Sequence, residues 1–463
     1  MTTKKKAAAL LLAALMLTAC GGPVPPASST VKQGGGELGS SSRQEASGAP
    51  AGETENGFYR SRGMRSPRNP DVSAVYGWNP DGTFTFQNEN TINTLSPENQ
   101  LLETVTIPVE QLTKGSGYQF SWSDTYILAI AADYGAGGMV YFTDDGGVHL
   151  ANVTLFDRKG QLVRQYPAGK IYDDESGGYL LPAPEGTAVT DGCSLYTGGE
   201  SPVYWLDSTT AVINGHSHVV LYDFATDTGR VLDDMSDLKE KHGKFFVYYG
   251  VYASQCGVAG GSFYYTTRRT EEEGIHGGTV WRADKNGAVE LFDGKKVSHL
   301  FVGSNGLVMS CEMEPDDPES GRKIYYAAPG ENSLRGVYMG NASVFFRECG
   351  KYLAFMHTFG KEDTVLYAYR FDTGELSNHS LGQVVQVDDL WLRQVDGSLR
   401  YYYTTFVDGA TADWVYDTAS DTTTQLPEGT VGSIFSVSPD GDRVLRWKDR
   451  LDPSWLRVGQ WEG

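Results

Sequence analysis

One pattern recurs along this chain: a short apolar, aromatic-rich run, a polar turn built on Asp, Thr, Asn or Gly, and a second short run. In the clearest copy, Val219, Val220, Leu221 and Tyr222 lead through Asp223 and the turn Ala225, Thr226, Asp227, Thr228 and Gly229 to Val231 and Leu232. Apolar alternation on both sides of such a turn predicts a β-hairpin, because Asp and Gly accept the backbone angles that tight turns need. Copies follow at Thr91 to Gln100, Ala151 through Asp157 and Gly160, and Thr279 through Asp284 and Gly287. Others lie at Lys323 through Gly330, Val365 through Gly374, Trp414 through Asp421, and Trp455 to Val458. From Gly287 to Gly330 is 43 residues, from Gly330 to Gly374 is 44, and from Gly374 to Asp421 is 47. A period of that length fits a unit of four short strands, repeated.

The chain has 463 residues, 56 of them Gly and 27 Tyr, and no long helix-period stretch, which together predict an all-β protein. Eight hairpin marks predict a β-propeller of eight four-stranded blades over residues 75–463. The alternatives are seven blades, because long intervals blur the first half, and two packed β domains. Those intervals, 69 residues from Gly160 to Gly229 and 58 from Gly229 to Gly287, predict inserted loops around Pro182 to Gly199 and Ser236 to Gly243. Insertions on a repeat scaffold commonly build its binding face. Tight turns also join the first two strands of several units, at Asn79-Pro80-Asp81-Gly82, Val395-Asp396-Gly397-Ser398 and Ser438-Pro439-Asp440-Gly441. The last of these, with its flanking runs Ile434 to Val437 and Arg443 to Trp447, resembles the WD40-like repeats of TolB and dipeptidyl-peptidase propellers. That resemblance implies a fold and no activity. The final unit lacks an outer strand, so ring closure calls for a donor from Phe58 to Tyr76.

Lys4, Lys5 and Lys6 precede an apolar run from Ala7 to Leu17, the layout of a secretory signal too short to span a bilayer as a stable helix. Leu17-Thr18-Ala19-Cys20 resembles the lipobox of bacterial lipoproteins, which implies cleavage of residues 1–19 and diacylglycerol on the Cys20 sulfur. Residues 20–56 are Gly/Ser/Pro/Ala-rich and poor in large apolar side chains, the composition of a disordered tether. A flexible chain of that length spans ~33 Å on average and ~120 Å when stretched. Residues 57–74 carry Arg60, Arg62, Arg65 and Arg68, which reads as a solvated linker or as a basic strap on the body. Elsewhere the most apolar stretch, Tyr126 to Phe142, is interrupted by Asp133 and glycines and reads as two strands.

The net charge of −20 conceals an asymmetry, since residues 1–74 sum to +4 and residues 75–463 to −24. So acidic a body argues against nucleic acid and against broad contact with anionic headgroups, while leaving room for a local basic patch. Beyond Cys20 the cysteines are Cys193, Cys256, Cys311 and Cys349. They permit two disulfides or remain buried thiols, and Cys311–Cys349 is the favoured bridge if one forms. His216 and His218 sit two apart and would share a face on a strand, where they could meet one metal or serve structure at a hairpin rim. The acidic residues Glu312, Glu314, Asp316, Asp317 and Glu319 lack calcium-loop spacing and read, like Glu271-Glu272-Glu273, as a solvated loop. Thr143-Asp144-Asp145-Gly146-Gly147 partly resembles a sialidase Asp-box and reads as a hairpin turn.

No Gly-x-Ser-x-Gly, His-Glu-x-x-His or Gly-x-x-x-x-Gly-Lys motif occurs, so no residue is assigned a catalytic or cofactor-binding role and no cofactor is expected. In the dipeptidyl-peptidase comparison a hydrolase domain follows the propeller, whereas here the sequence stops at the last unit. The expectation is a membrane-anchored, extracytoplasmic lipoprotein whose propeller binds or scaffolds an envelope protein, a glycan or a peptide. The alternative is a carbohydrate-active or other hydrolytic enzyme with Asp/Glu residues in the funnel, where linear motifs do not appear.

Overall fold

In a computed structural model, the chain divides into two units, residues 1–51 and residues 52–463. The structure describes residues 54–64 and 74–461, apart from 113–116, 132–138, 143–147, 152, 167–169, 174–178, 184–202, 215–217, 236, 243–249, 272, 274–276, 294–296, 313–321, 341–345, 358–362 and 450–451. Cys20, Cys193, His216, the stretch from Thr143 to Gly147 and most of the acidic run after Glu312 therefore lie outside the described residues.

The second unit is an eight-bladed β-propeller of four-stranded antiparallel sheets. Blade 1 comprises Tyr76–Trp78, Phe84–Asn88, Thr91–Leu95 and Leu101–Thr106; blade 2 comprises Tyr118–Trp122, Tyr126–Ala131, Val153–Asp157 and Leu162–Gln165. Blade 3 is Val203–Trp205, Thr210–Asn214, His218–Asp223 and Thr228–Asp234; blade 4 is Gly250–Ala259, Ser262–Arg268, Thr279–Asp284 and Gly287–Asp293. Blade 5 runs Val297–Gly303, Gly306–Glu312, Arg322–Ala327 and Arg335–Gly340, and blade 6 Arg347–Cys349, Tyr352–His357, Val365–Arg370 and Leu376–Ser380. Blade 7 contains Gln386–Val395, Ser398–Val407, Ala410–Asp417 and Thr422–Gln425. Blade 8 takes Ile434–Val437, Val444–Asp449 and Asp452–Gly459 from the end of the chain and its outer strand, Phe58–Arg60, from near the beginning.

That borrowed strand closes the ring. Tyr59 pairs with Leu456 and Arg60 with Trp455, and a short outermost strand, Thr54–Glu55, folds back onto it. The chain then crosses to blade 1, where Arg62 bridges to Asn88, and reaches blade 2, where Met64 bridges to Tyr118. Blades 8 and 1 also share a core of Phe84, Phe86, Leu95, Leu445, Leu456 and Val458. Pairing the outer edge removes an exposed row of N–H and C=O groups, and the shared core turns an open arc into a circle.

Side-chain burial follows distance from the rim. Phe84–Asn88 and Tyr352–His357, both second strands, are buried throughout, whereas the outer strand Thr422–Gln425 is exposed throughout. A second strand has a sheet neighbour on each edge and a blade packed on each face, so it accepts apolar residues without alternation. An outer strand has neither advantage and carries Thr, Ser and charged residues instead.

The recurring turns have one chemistry. In blade 3, Asp223 Oδ1 accepts from the Ala225 N–H at 2.9 Å, and Asp227 takes the left-handed conformation with φ 57°. Blade 7 repeats both features at Asp417, whose Oδ1 accepts from the Ala419 N–H at 2.8 Å, and Asp421, with φ 51°. The tyrosine preceding each capping aspartate donates its O–H to the left-handed aspartate, Tyr222 to Asp227 at 2.8 Å and Tyr416 to Asp421 at 2.9 Å. Asp is one of the few side-chain-bearing residues that tolerate this backbone region, and its carboxylate fixes the turn on the strand it leaves.

Two expectations are corrected and one alternative is decided. Cys256, Cys311 and Cys349 are thiols, so of the two readings left open for the cysteines the conditional Cys311–Cys349 bridge is the one that does not form. Cys311 packs in the core that includes Tyr264 and Val280 of blade 4, and Cys349 in the core it shares with blade 7, so the two sulfurs serve different inter-blade layers. Burial pushes the Cys349 thiol up to about 12, against the pull of the Leu392 N–H that donates to its sulfur. The unit read from Ala151 to Leu155 also splits: Ala151 ends an inserted hairpin, Met139–Phe142 with Val148–Ala151, and the blade strand starts at Val153. The long intervals hold more than loops, namely a second hairpin of Lys170–Asp173 with Tyr179–Ala183 and a short helix, Asp237–His242.

Candidate functional site: the loop face of blades 2 to 6

Because strands alternate in direction, connections within and between blades emerge on two different faces. First-to-second and third-to-fourth connections share one face, where none exceeds seven residues (328–334 is the longest). Second-to-third and blade-to-blade connections share the other, and there the chain runs 21 residues over 132–152, 37 over 166–202, 15 over 235–249 and ten over 269–278. These four belong to blades 2 to 4; on the same face 107–117 before blade 2 has eleven residues, 313–321 of blade 5 nine and 358–364 of blade 6 seven. On blades 1, 7 and 8 the second-to-third connection is two residues each, at 89–90, 408–409 and 450–451. A rigid ring with one face of tight turns and one face of long insertions concentrates sequence freedom where it can meet a ligand.

At the boundary of blades 3 and 4, side chains brace the foot of the 269–278 connection. Arg269 Nη2 donates to both oxygens of Asp233, at 2.8 and 2.7 Å, and Tyr265 O–H donates to Asp233 Oδ2 at 2.9 Å. The Arg269 guanidinium lies 4.9 Å from the centre of the Trp281 ring, and Trp281 Nε1–H donates to Thr267 Oγ1 at 3.1 Å. The backbone N–H of Arg269 donates to Glu273 at 2.5 Å, which turns the connection back on itself. Burial, reinforced by the Asp233 carboxylate, pushes the Tyr265 phenol far above its ordinary value, so it stays a hydrogen-bond donor. Asp233 and Arg269 satisfy each other, and the cluster acts as a post that aims the loop.

Beside it the channel-side strands present polar atoms. Cys256 S–H donates to the Tyr204 hydroxyl at 3.0 Å and receives Asn214 Nδ2–H at 3.5 Å. Asn214 Oδ1 and Gln255 Oε1 are buried and have no hydrogen-bond partner among the described residues. Buried carbonyl oxygens of this kind are normally paired, so this part of the mouth is suited to a ligand or solvent donor. Neither residue carries a sequence motif; the visible signals were only the charged doublets Asp233-Asp234 and Arg268-Arg269 at strand ends.

The residues singled out from sequence fall elsewhere. His218 is buried on the third strand of blade 3, with Nε2 3.1 Å from Asp234 Oδ1 across the sheet, while His216 lies outside the described residues. No group of three or more His, Cys, Asp or Glu placed to hold a metal occurs among the described residues. An open groove of about 380 Å³ lies on the outer strands of blade 5 between Lys323, Tyr325, Val337 and Met339, at the rim of the ring.

No protein-family model and no curated protein matches the chain. Among solved structures it is similar to Porphyromonas gingivalis dipeptidyl peptidase 4, at 11% identity and a TM-score of 0.48, covering 84% of this chain and 58% of that one. It is also similar to the β-propeller domain of the trilobed protease from Pyrococcus furiosus, at 12% identity and TM-score 0.34, covering 76% and 97%. An oligogalacturonate lyase in complex with manganese matches at 12% identity and TM-score 0.37, covering 86% and 98%. The chain thus spans under two thirds of the dipeptidyl peptidase, and at these identities the likeness is one of fold.

Proposed function

We propose that this protein is a lipid-anchored, extracytoplasmic binding or scaffolding module that engages an envelope protein, glycan or peptide through the loop face of blades 2 to 6. The observation that carries the reading is the asymmetry of the ring: connections of up to 37 residues on one face, none above seven on the other. The anchor rests on the Leu17-Thr18-Ala19-Cys20 signature, whose two or more acyl chains would hold the body at a membrane, each buried CH₂ contributing about 0.8 kcal/mol.

Two experiments test the reading. A photoreactive residue at exposed Glu271 on the loop face should capture a ligand or partner in intact cells, whereas one at exposed Ser420 on the turn face should not. Equal capture at both positions, or capture at Ser420 alone, removes the assignment of the face. Replacing Cys20 with Ser should release the protein from the membrane fraction; retention removes the anchor.

A further inference from the structure

Resting on the loop-face reading and narrowing its ligand to one class, we propose that the mouth between blades 3 and 4 binds a neutral, hydroxyl-rich glycan through the side-chain oxygens of Asn214 and Gln255.

The two faces differ in how their side-chain oxygens are satisfied. On the turn face, carboxylates accept from their own turns: Asp81 from the Thr83 N–H at 3.0 Å, Asp157 from Lys159 at 2.8 Å, Asp284 from Asn286 at 2.7 Å and Asp440 from Asp442 at 3.0 Å. Among the described residues the buried side-chain oxygens without a hydrogen-bond partner are those of Asn88, Gln111, Asn214, Gln255 and Thr266. All of them lie in the loop-face half of the ring. Asn88 and Asn214 end the second strands of blades 1 and 3, Gln111 sits in the connection into blade 2, and Thr266 is near the loop-face end of the second strand of blade 4. A buried acceptor without a donor costs free energy, and native proteins keep few of them. A ligand that brings donors to this face removes that cost.

Blade 4 departs from the repeat at the same place. Val251 pairs with Thr267 and Cys256 with Tyr265, so the inner strand takes five steps where its neighbour takes two. The excess forms a wide bulge, a device that re-aims side chains beside functional sites, with Gln255 at its end. Next to it Cys256, Gly257 and Val258 are half-buried, which leaves the inner strand accessible from the channel. Asn214 donates Nδ2–H to the Cys256 sulfur at 3.5 Å, and Gln255 adjoins Cys256 in the chain. The two residues, 4% and 3% exposed, therefore flank one accessible point, and the oxygen of each lacks a donor.

The chemistry of these acceptors selects the class. Both are uncharged carboxamide oxygens, and the neighbouring charges pair with each other, Asp233 with Arg269 and Asp234 with His218. An anionic ligand would bring further acceptors to oxygens that already lack donors, and a buried cation needs a countercharge that these pairs do not supply. A peptide brings a carbonyl for every N–H. A hydroxyl carries a donor on each oxygen and no charge.

The test probes the full chain on an array of neutral, uronate-bearing and amino-sugar glycans. Binding should be confined to neutral glycans and be insensitive to salt. Asn214→Leu and Gln255→Met should each weaken it about tenfold or more, through loss of one hydrogen bond with a ligand hydroxyl left unpaired. The same substitutions should leave the melting temperature of the free protein unchanged or raise it by about 1–2 °C, because each removes an unsatisfied acceptor. Bound glycan should also shield the Cys256 thiol from iodoacetamide. A lower melting temperature in both variants assigns the oxygens to structure and overturns the site. Silence on the array, preference for charged glycans, or binding indifferent to both substitutions overturns it as well. If Glu271 still captures a partner in cells, the ligand class fails while the loop-face reading stands.

Discussion

Removing the Asp227 carboxylate should loosen the joint between blades 2 and 3 more than the exposure of a turn residue suggests. Asp227 Oδ1 accepts from the hydroxyls of Tyr222 at 2.8 Å and Tyr166 at 2.9 Å, and lies 2.6 Å from Arg164 Nη1. Tyr166 and Arg164 belong to blade 2, while Tyr222 and Asp227 belong to blade 3, so one oxygen ties two blades together. Both tyrosines are buried, at 6% and 3% exposure, and Asp227→Ala leaves their hydroxyls without this acceptor. A hydrogen bond to a charged group contributes about 1.5–3 kcal/mol, and exposure of the Asp227 and Arg164 side chains limits their ion pair to under about 1 kcal/mol. Alanine also pays about 1 kcal/mol for the φ of 57° that Asp tolerates. With water replacing part of the lost bonding, the expected total for Asp227→Ala is about 2–4 kcal/mol. Asp227→Asn, which keeps the backbone preference and an acceptor, should cost about half as much. Urea unfolding with an unchanged m-value reads these differences, and a cycle with Tyr222→Phe should show strong non-additivity. If both Asp227 variants unfold within about 0.5 kcal/mol of the parent, the carboxylate does not hold the joint and this account of the repeated turn is wrong.

Alkali should weaken the same joint. Burial pushes the Tyr166 phenol up to about 12 from an ordinary value of 10.0, so the unfolded chain loses this proton first and the associated stability disappears between those two values. Melting curves across that window should fall less steeply for Tyr166→Phe than for the parent. Trp461 is fully buried, packs with its ring centre 4.8 Å from that of Tyr402 in a tilted pair and donates through Nε1 to the Gly441 carbonyl, so Trp461→Ala should cost about 3–5 kcal/mol in denaturant unfolding. Glu348 on blade 6 accepts from the Ser304 and Asn305 backbone N–H groups of blade 5, each at 2.9 Å. Glu348→Ala should therefore cost about 1.5–3 kcal/mol and raise hydrogen exchange at those two amides. Deleting residues 54–64 strips blade 8 of its outer strand, and the variant should melt lower and self-associate in sedimentation through the exposed edge of Asp452–Gly459.

Residue order alone determined the class of fold, the blade number and the closure. A turn such as Tyr222–Thr228 or Ser438–Gly441 is decided by a few neighbouring residues: Asp caps the strand it leaves, and Asp or Gly takes the left-handed position. Such local chemistry repeats whenever the structure repeats, which made the hairpins countable. The missing outer strand of the last unit was legible for the same reason, as an interruption of the count, and Phe58–Arg60 fills it. Tertiary structure decided what depends on side chains distant in sequence. Only the ring shows that Asp227 serves Tyr166 of the preceding blade, that Cys311 and Cys349 pack in different layers, and that His218 meets Asp234. The same holds for the placement of the insertions. Each long insertion is visible alone, but only the alternation of strand direction gathers them on one face. Likewise Arg60 and Lys448, 388 positions apart, meet over Trp455 because the beginning of the chain completes a sheet made at its end.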